Sequence, residues 1–133
     1  DVDDVVIGCS SQVGFQGACV GRMGVLDAGW STKASAVTLD RFCGSGITSV
    51  NLAAMGVMSG MQDLVVAGGV EMMSYTSQVK STEKRNLTID GGNPHLREIH
   101  PQPHQGICAD MIATLDGITR EAVDAHDVIE VQV

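Results

Sequence analysis

The stretch from Ala36 to Gly69 constrains the fold of this 133-residue chain more than any other. Ala36-Val37-Thr38-Leu39 is a short apolar run of strand length. After a turn holding Cys43, Gly44 and Gly46, the residues Ile47, Val50, Ala54, Val57 and Met58 recur at three- and four-residue steps, which is helical periodicity. Leu52, Ala53, Met55 and Gly56 fill the other sides, so this helix is expected to be buried all round. Asp63-Leu64-Val65-Val66-Ala67-Gly68-Gly69 is again strand-like and stops at paired glycines. Strand, helix and strand in this order predict a βαβ unit, and hence a parallel sheet covered on both faces. An earlier run, Asp4 to Cys9, adds a strand, and the segment from Gly17 to Gly29 fits a short helix. The fold class is α/β.

Composition narrows the function classes. Hydrophobic residues make up 44% and mean hydropathy is +0.13, which argues against disorder. Aromatics are only 3%, so the core must be aliphatic. The net charge of −8 argues against nucleic acid or an anionic membrane surface as partner, since both are bound through Lys and Arg. No apolar stretch reaches the ~18 residues of a membrane span. Asp1, Asp3 and Asp4 stand where a secretory leader would be basic.

The four cysteines, Cys9, Cys19, Cys43 and Cys108, are widely spaced and form no CxxC pair. They are expected to be free thiols in a reducing compartment, with the cytoplasm as the default. His100, His104 and Cys108 are four residues apart, but Pro101 and Pro103 forbid the helix that would align them, so no metal site is expected. From Ser77 to Gln105 the chain is polar and loop-like. This stretch holds Lys80, Lys84 and Arg85 and all three prolines, Pro94, Pro101 and Pro103. Ile107 to Leu115 predicts a helix closed by Gly117, and Thr119 caps a last helix from Arg120 to about Val131. His95, His100 and His126 read as surface residues.

Cys43 carries the chemistry. It follows a strand and precedes an apolar helix, so its side chain faces a helix N-terminus, where free N–H groups and the macrodipole favour a thiolate. Gly44 and Gly46 leave room for a substrate carbonyl, and their N–H groups are placed to hold a developing oxyanion. This is the logic of an activated nucleophile for acyl transfer. Free cysteine is more often mere packing, and Cys9, Cys19 and Cys108, which lack this context, are read that way.

The segment Val37-Thr38-Leu39-Asp40-Arg41-Phe42-Cys43-Gly44-Ser45-Gly46 resembles the nucleophile segment of thiolases, the acyl-CoA C-acyltransferases. Further similarity follows in order along the chain. Asp3 to Cys9 with Gln12-Val13-Gly14 looks like the strand and loop upstream of the cysteine. Ala67-Gly68-Gly69-Val70-Glu71-Met72-Met73-Ser74 looks like the glycine-rich turn after the next strand. His104-Gln105-Gly106, Ala109-Asp110, Ile118-Thr119-Arg120-Glu121 and Asp124 are similar to loop-domain helices. Together these cover residues 1 to about 127.

The resemblance implies a partial thiolase fold: a parallel-rich sheet with a buried central helix, part of a layered αβαβα core, plus the start of the loop domain. Residues 1–76 would belong to the N-terminal half of the core, and 77–133 would open the CoA-binding loop domain. It implies that Cys43 is acylated by acetyl-CoA or another acyl-CoA, forming or cleaving acetoacetyl-CoA or a 3-ketoacyl-CoA. Coenzyme A is then substrate or product, and no cofactor is resident. His104, Gln105 and Gly106 would lie at the acyl pocket, where Gln105 replaces the family's Met. Lys80, Lys84 and Arg85 would meet CoA phosphates, although a solvated charge cluster is the commoner explanation. A homodimer or homotetramer is implied, formed partly through the strand near Val37 to Leu39.

The family's Gly-His-Pro, its later Cys-x-Gly and its Asn-Glu-x-Phe segments do not occur in these 133 residues, nor does its first strand. The ending, Val128 to Val133, departs from the Ser-Gln-rich helix of the family. The chain is therefore expected to be an N-terminal-half fragment, inactive alone. Other readings are a β-ketoacyl synthase-like condensing enzyme, a non-catalytic acyl-CoA-binding fragment and a subunit-interface remnant.

Overall fold

The computed structural model describes residues 2–82 and 91–130, with side chains for 2–79 and 91–126. Contacts divide the chain into two compact units, Asp1–Asn86 and Leu87–Val133. The first unit runs β1 (Asp4–Gly8), a 3-10 turn (Gly14–Gln16), α1 (Val20–Asp27), β2 (Ser35–Leu39), α2 (Ser45–Met58), β3 (Val65–Gly69) and α3 (Met73–Thr82).

The three strands form a parallel sheet in the order β2-β1-β3. Asp4 pairs with Ser35 and Val65, and Gly8 pairs with Leu39 and Gly69, so all three strands end in register. Side chains alternate across the sheet. Val5 and Ile7 point to one face, where they meet Val25 of α1, Ala34, Ala36 and Val66 in a small aliphatic core. On the other face Gly8 and Gly69 meet the first turn of α2. This is the predicted βαβ architecture, with the two crossover helices on opposite faces.

Helix α2 is two-faced, contrary to the expectation of burial all round. Its sheet-facing side is Ser45, Thr48, Ser49 and Ala53, all buried. Ser49 is 0% exposed, and its Oγ lies 2.7 Å from the Gly46 carbonyl and 2.8 Å from that of Gly68. The large apolar residues point away, with Ile47 73% and Met58 87% exposed. Where the strands end in Gly8 and Gly69, the sheet admits the first turn of the helix so closely that only small residues fit between them. The Ser45 and Ser49 hydroxyls are tolerated there because each donates to a carbonyl, of Phe42 for one and of Gly46 and Gly68 for the other. No element of this unit covers the outer face among the described residues.

The second unit holds α4 (Pro94–Ile99), α5 (Gln105–Asp116) and α6 (Arg120–Glu130). Gly117 closes α5 in the left-handed conformation (φ +66°), and Thr119 Oγ1 accepts the Ala122 N–H at 3.2 Å at the start of α6, both as predicted. The stretch 77–105 was expected to be loop, yet it holds most of α3 and all of α4. Pro94 reads as a loop marker, but at the first helical position its missing N–H costs nothing, and Asn93 Oδ1 caps the Leu96 N–H at 3.2 Å. Helix α3 has weak propensity in Ser74, Tyr75, Thr76 and Ser77 and is fixed by tertiary contacts instead. Thr76 is buried, and Tyr75 stacks on Phe15 at 5.3 Å and accepts its N–H at 2.9 Å.

Asp3 fastens β1 to the entry of β3. Its Oδ2 accepts the N–H groups of Asp63 at 2.7 Å and Leu64 at 3.0 Å. The Leu64 and Asp63 amides hold its carboxyl below the usual value. A lowered folded-state pKa gives stability that is present above the unfolded value of about 3.9 and lost as pH falls through the folded one. Asp3→Asn is therefore expected to flatten the acid limb of a stability-against-pH curve while shifting the neutral plateau down. An unchanged acid limb in denaturant midpoints below pH 4 would count against this fastening.

Candidate active site

Cys43 lies in the short connection between β2 and α2, with Gly44 as the N-cap of the helix. The connection is braced by its own side chains. Asp40 Oδ1 accepts the Phe42 N–H at 2.7 Å, Ser45 Oγ accepts the Arg41 N–H at 2.8 Å, and the same hydroxyl donates to the Phe42 carbonyl at 2.6 Å. Phe42 sits in the left-handed region at φ +48°, a conformation that costs a non-glycine residue about 1 kcal/mol. The turn so formed presents an exposed Cys43.

Glycines set where this turn rests. A Cβ on Gly8 would lie 2.5 Å from the Ser45 carbonyl carbon and 2.8 Å from the Gly46 nitrogen, so the end of β1 touches the backbone of α2 directly. A Cβ on Gly69 would lie 3.1 Å from the Gly8 carbonyl oxygen. Gly46 differs, because a Cβ there would meet nothing within 4 Å. Gly8 is thus required by packing, Gly69 sits in a tight contact, and Gly46 is required by nothing in the fold.

Of the N–H groups expected to face an oxyanion, that of Gly44 is already spent. It donates to the Arg41 carbonyl at 3.0 Å. The Ser45 N–H likewise donates to the Phe42 carbonyl at 3.0 Å. The next two, on Gly46 and Ile47, make no hydrogen bond among the described residues. These first-turn donors remain at the positive end of the helix.

Cys43 lines an open cleft of about 560 Å³ at the carboxyl ends of the strands. Gly8, Ser10 and Ser11 come from the end of β1, and Gly69, Val70 and Glu71 from the end of β3. Met73, Thr76 and Ser77 come from α3. Ligands of open parallel sheets bind in such a crevice, where the chain turns from one side of a strand to the other.

Sequence reasoning missed Glu71 and Gln16. Glu71 Oε2 accepts the Ser10 and Ser11 N–H groups at 3.0 and 3.1 Å. Desolvation pushes its carboxyl up, but the Ser11 amide and hydroxyl, the Ser10 amide and Gln16 outweigh it and hold it below its ordinary value. The one local signal was an acidic residue just past paired glycines at a strand end.

The other cysteines are elsewhere. Cys9 is buried beneath the cleft floor, where burial, and then the nearby Glu71 charge, pushes its thiol up. Cys19 is half-buried, its Sγ 3.6 Å from the Ala36 carbonyl and 3.5 Å from the Thr38 hydroxyl. Burial raises its pKa, but the Thr38 hydrogen bond and the Arg22 and Thr38 backbone hold it below the ordinary value.

His104 Nδ1 accepts the Gly106 N–H at 3.1 Å and caps α5, so His104, Gln105 and Gly106 form a helix start in the second unit. His100 ends α4, a different helix, and no group of three metal-ligating side chains occurs among the described residues. Lys84, Arg85 and the side chain of Lys80 lie outside the described residues. No helix among the described residues is long and apolar enough to cross a membrane.

A braced turn that offers a cysteine at the carboxyl ends of a parallel sheet, ahead of a helix, is the layout of an α/β protein with a thiol in its binding crevice. Comparison with known proteins makes the class specific. Residues 1–130 match the family described as thiolase, N-terminal domain. The chain is 35% identical over 134 residues to a β-ketoadipyl-CoA thiolase of Acinetobacter baylyi, covering 92% of this chain and 33% of that protein. It is 36% identical over 125 residues to a 3-ketoacyl-CoA thiolase of Saccharophagus degradans, covering 92% of this chain and 30% of that one. The crystal structure of the Bacillus anthracis acetyl-CoA acetyltransferase superposes with a TM-score of 0.52 at 38% identity, over 55% of this chain and 18% of that one. The chain belongs to the thiolase family. It spans about a third of the length of the relatives it matches.

Proposed function

We propose that the protein carrying this sequence is an acyl-CoA C-acyltransferase that works through a thioester on Cys43. The observation that carries the reading is the exposed Cys43 thiol in the strand-end cleft, ahead of the Gly46 and Ile47 N–H groups, which make no hydrogen bond among the described residues. The Cys43 thiolate attacks the thioester carbonyl of an acyl-CoA, and the CoA thiolate leaves. A second acyl-CoA, having lost from its α-carbon a proton that ends on the departed CoA thiolate, attacks the Cys43 thioester. The C–C bond forms, and the cysteine thiolate is released. Run backwards, the same steps cleave a 3-ketoacyl-CoA. A thioester keeps the acyl group activated at every stage, which is why sulfur suits both directions.

The relatives named for CoA thioesters support acetyl-CoA or another acyl-CoA as substrate, with coenzyme A as the other product or substrate. On this reading residues 1–76 supply the nucleophile, and 77–133 open the CoA-binding part. His104, Gln105 and Gly106 border the acyl pocket, and Lys80, Lys84 and Arg85 meet the CoA phosphates. The protein works as a homodimer or homotetramer in the cytoplasm, a reducing compartment that suits four free thiols.

A polypeptide of these 133 residues alone is expected to take one acetyl group from acetyl-CoA onto Cys43 without turning over, because none of its motifs supplies the proton-transfer groups of the second step. Intact mass after incubation with acetyl-CoA reads the first half, and thiolysis of acetoacetyl-CoA reads the second. Ordinary turnover by this polypeptide would overturn the expectation. No adduct on Cys43, in either this piece or the natural polypeptide, would overturn the acyl-transfer reading.

A further inference from the structure

Glu71 and Gln16 join two loops that are far apart in the chain. The Ser10 and Ser11 N–H groups converge on one carboxylate oxygen of Glu71, 61 and 60 residues away. Two successive amides aimed at one anion form a charge-assisted nest, stronger than a pair of neutral bonds. Gln16 backs the arrangement from beneath and is 1% exposed. Its Nε2 reaches the Ser11 carbonyl at 3.0 Å and Glu71 Oε1 at 3.4 Å, and its Oε1 accepts the Met72 N–H. Ser10, Ser11 and Glu71 line the same cleft as Cys43. The segment from Ser10 to Ser11 has left the sheet, so the ladder bonds of β1 no longer hold it. The bonds to Glu71 and Gln16 take their place.

We propose that Glu71 is a positioning residue for acyl transfer: by clamping the Ser10–Ser11 turn to the β3–α3 connection it fixes one wall of the Cys43 cleft, against which the acyl group is aligned. The inference rests on the acyl-transfer reading above. Displacement of a wall by about 1 Å is enough to cost roughly 100-fold in rate when a reacting carbonyl must be aligned.

The test uses the natural polypeptide and its Glu71→Ala and Glu71→Gln variants. Three quantities are read: amide hydrogen exchange at Ser10 and Ser11, the rate of Cys43 acylation by acetyl-CoA, and alkylation of Cys43 by iodoacetamide, which needs no acyl alignment. In Glu71→Ala, exchange at Ser10 and Ser11 is expected to rise about tenfold or more while Val6 and Ile7 within β1 are unchanged. Acylation kcat/KM is expected to fall about tenfold or more, and iodoacetamide alkylation to stay within about twofold. Glu71→Gln keeps one acceptor oxygen and is expected to recover part of both losses, which also covers the case of an alanine variant that does not fold. Unchanged exchange at Ser10 and Ser11 overturns the clamp. Faster exchange with unchanged acylation overturns the positioning role, and exchange rising throughout β1 with alkylation slowed equally reduces Glu71 to a structural part. Failure of the parent to acylate Cys43 overturns the acyl-transfer reading itself, whatever the exchange data show, and the positioning role falls with it.

Discussion

Cys43→Ala in the natural polypeptide is expected to abolish the acyl adduct and to lower thiolysis of acetoacetyl-CoA by about 10⁴-fold or more. Losses of that size follow when a covalent nucleophile is removed, because the remaining site offers no second route to the intermediate. The fold should not notice. The Cys43 side chain is exposed, and the turn around it is held by Asp40, Ser45 and the backbone rather than by sulfur. The unfolding free energy should therefore change by no more than a surface substitution changes it, about 0.5 kcal/mol. Cys43→Ser makes a sharper version: the shape is nearly kept, the weaker nucleophile remains, and activity should still be lost. Substantial turnover in either variant would move the nucleophile elsewhere, and intact mass after acetyl-CoA treatment would reveal where.

Gly8→Val should produce the largest structural effect of any single change at the site. Its Cβ would lie 2.5 Å from the Ser45 carbonyl carbon and 2.6 Å from its oxygen, both backbone atoms that no rotamer change can clear. Either α2 lifts off the sheet or β1 shifts in its ladder. We expect a loss of about 3 kcal/mol, at the upper end for overpacking, together with loss of activity, since Cys43 rides on the same turn. Gly46→Ala is the matched contrast. With no atom within 4 Å to meet, its methyl leaves the fold at parental stability to within about 1 kcal/mol, helped by alanine's better helix propensity. Yet the methyl stands in the cleft, so acyl transfer is expected to fall about tenfold or more while denaturant midpoints hold. Equal stability of the Gly8 and Gly46 variants would contradict the close approach of β1 and α2.

The βαβ core was legible because each strand is a short apolar run, β1 and β3 ending in glycine, and α2 carries helical periodicity. Cys43 was legible for a related reason: its setting between strand and helix is local in sequence. What escaped was what depends on distant partners. Nothing near Glu71 indicates that its carboxylate binds amides 60 residues earlier, and nothing near Gln16 indicates that a surface-type residue will be buried with both ends satisfied. The two faces of α2 were hidden differently. Its hydropathy is high on every side, and only the glycines on β1 and β3 decide that the serines and threonine turn inward. Helix α4 was lost to a reading of Pro94 as a breaker, although Asn93 just before it is a capping residue.

The division of α2 has a consequence for how its sequence can drift. On the sheet side, the gap left by Gly8 and Gly69 sets a ceiling on size: Ser45, Thr48, Ser49 and Ala53 can exchange among small residues and little else. On the outer side, Ile47, Val50 and Met58 are exposed in this unit and face no such ceiling. A saturation scan along the helix should therefore separate into two interleaved records, one sensitive to volume and one indifferent to it, alternating with the turn of the helix.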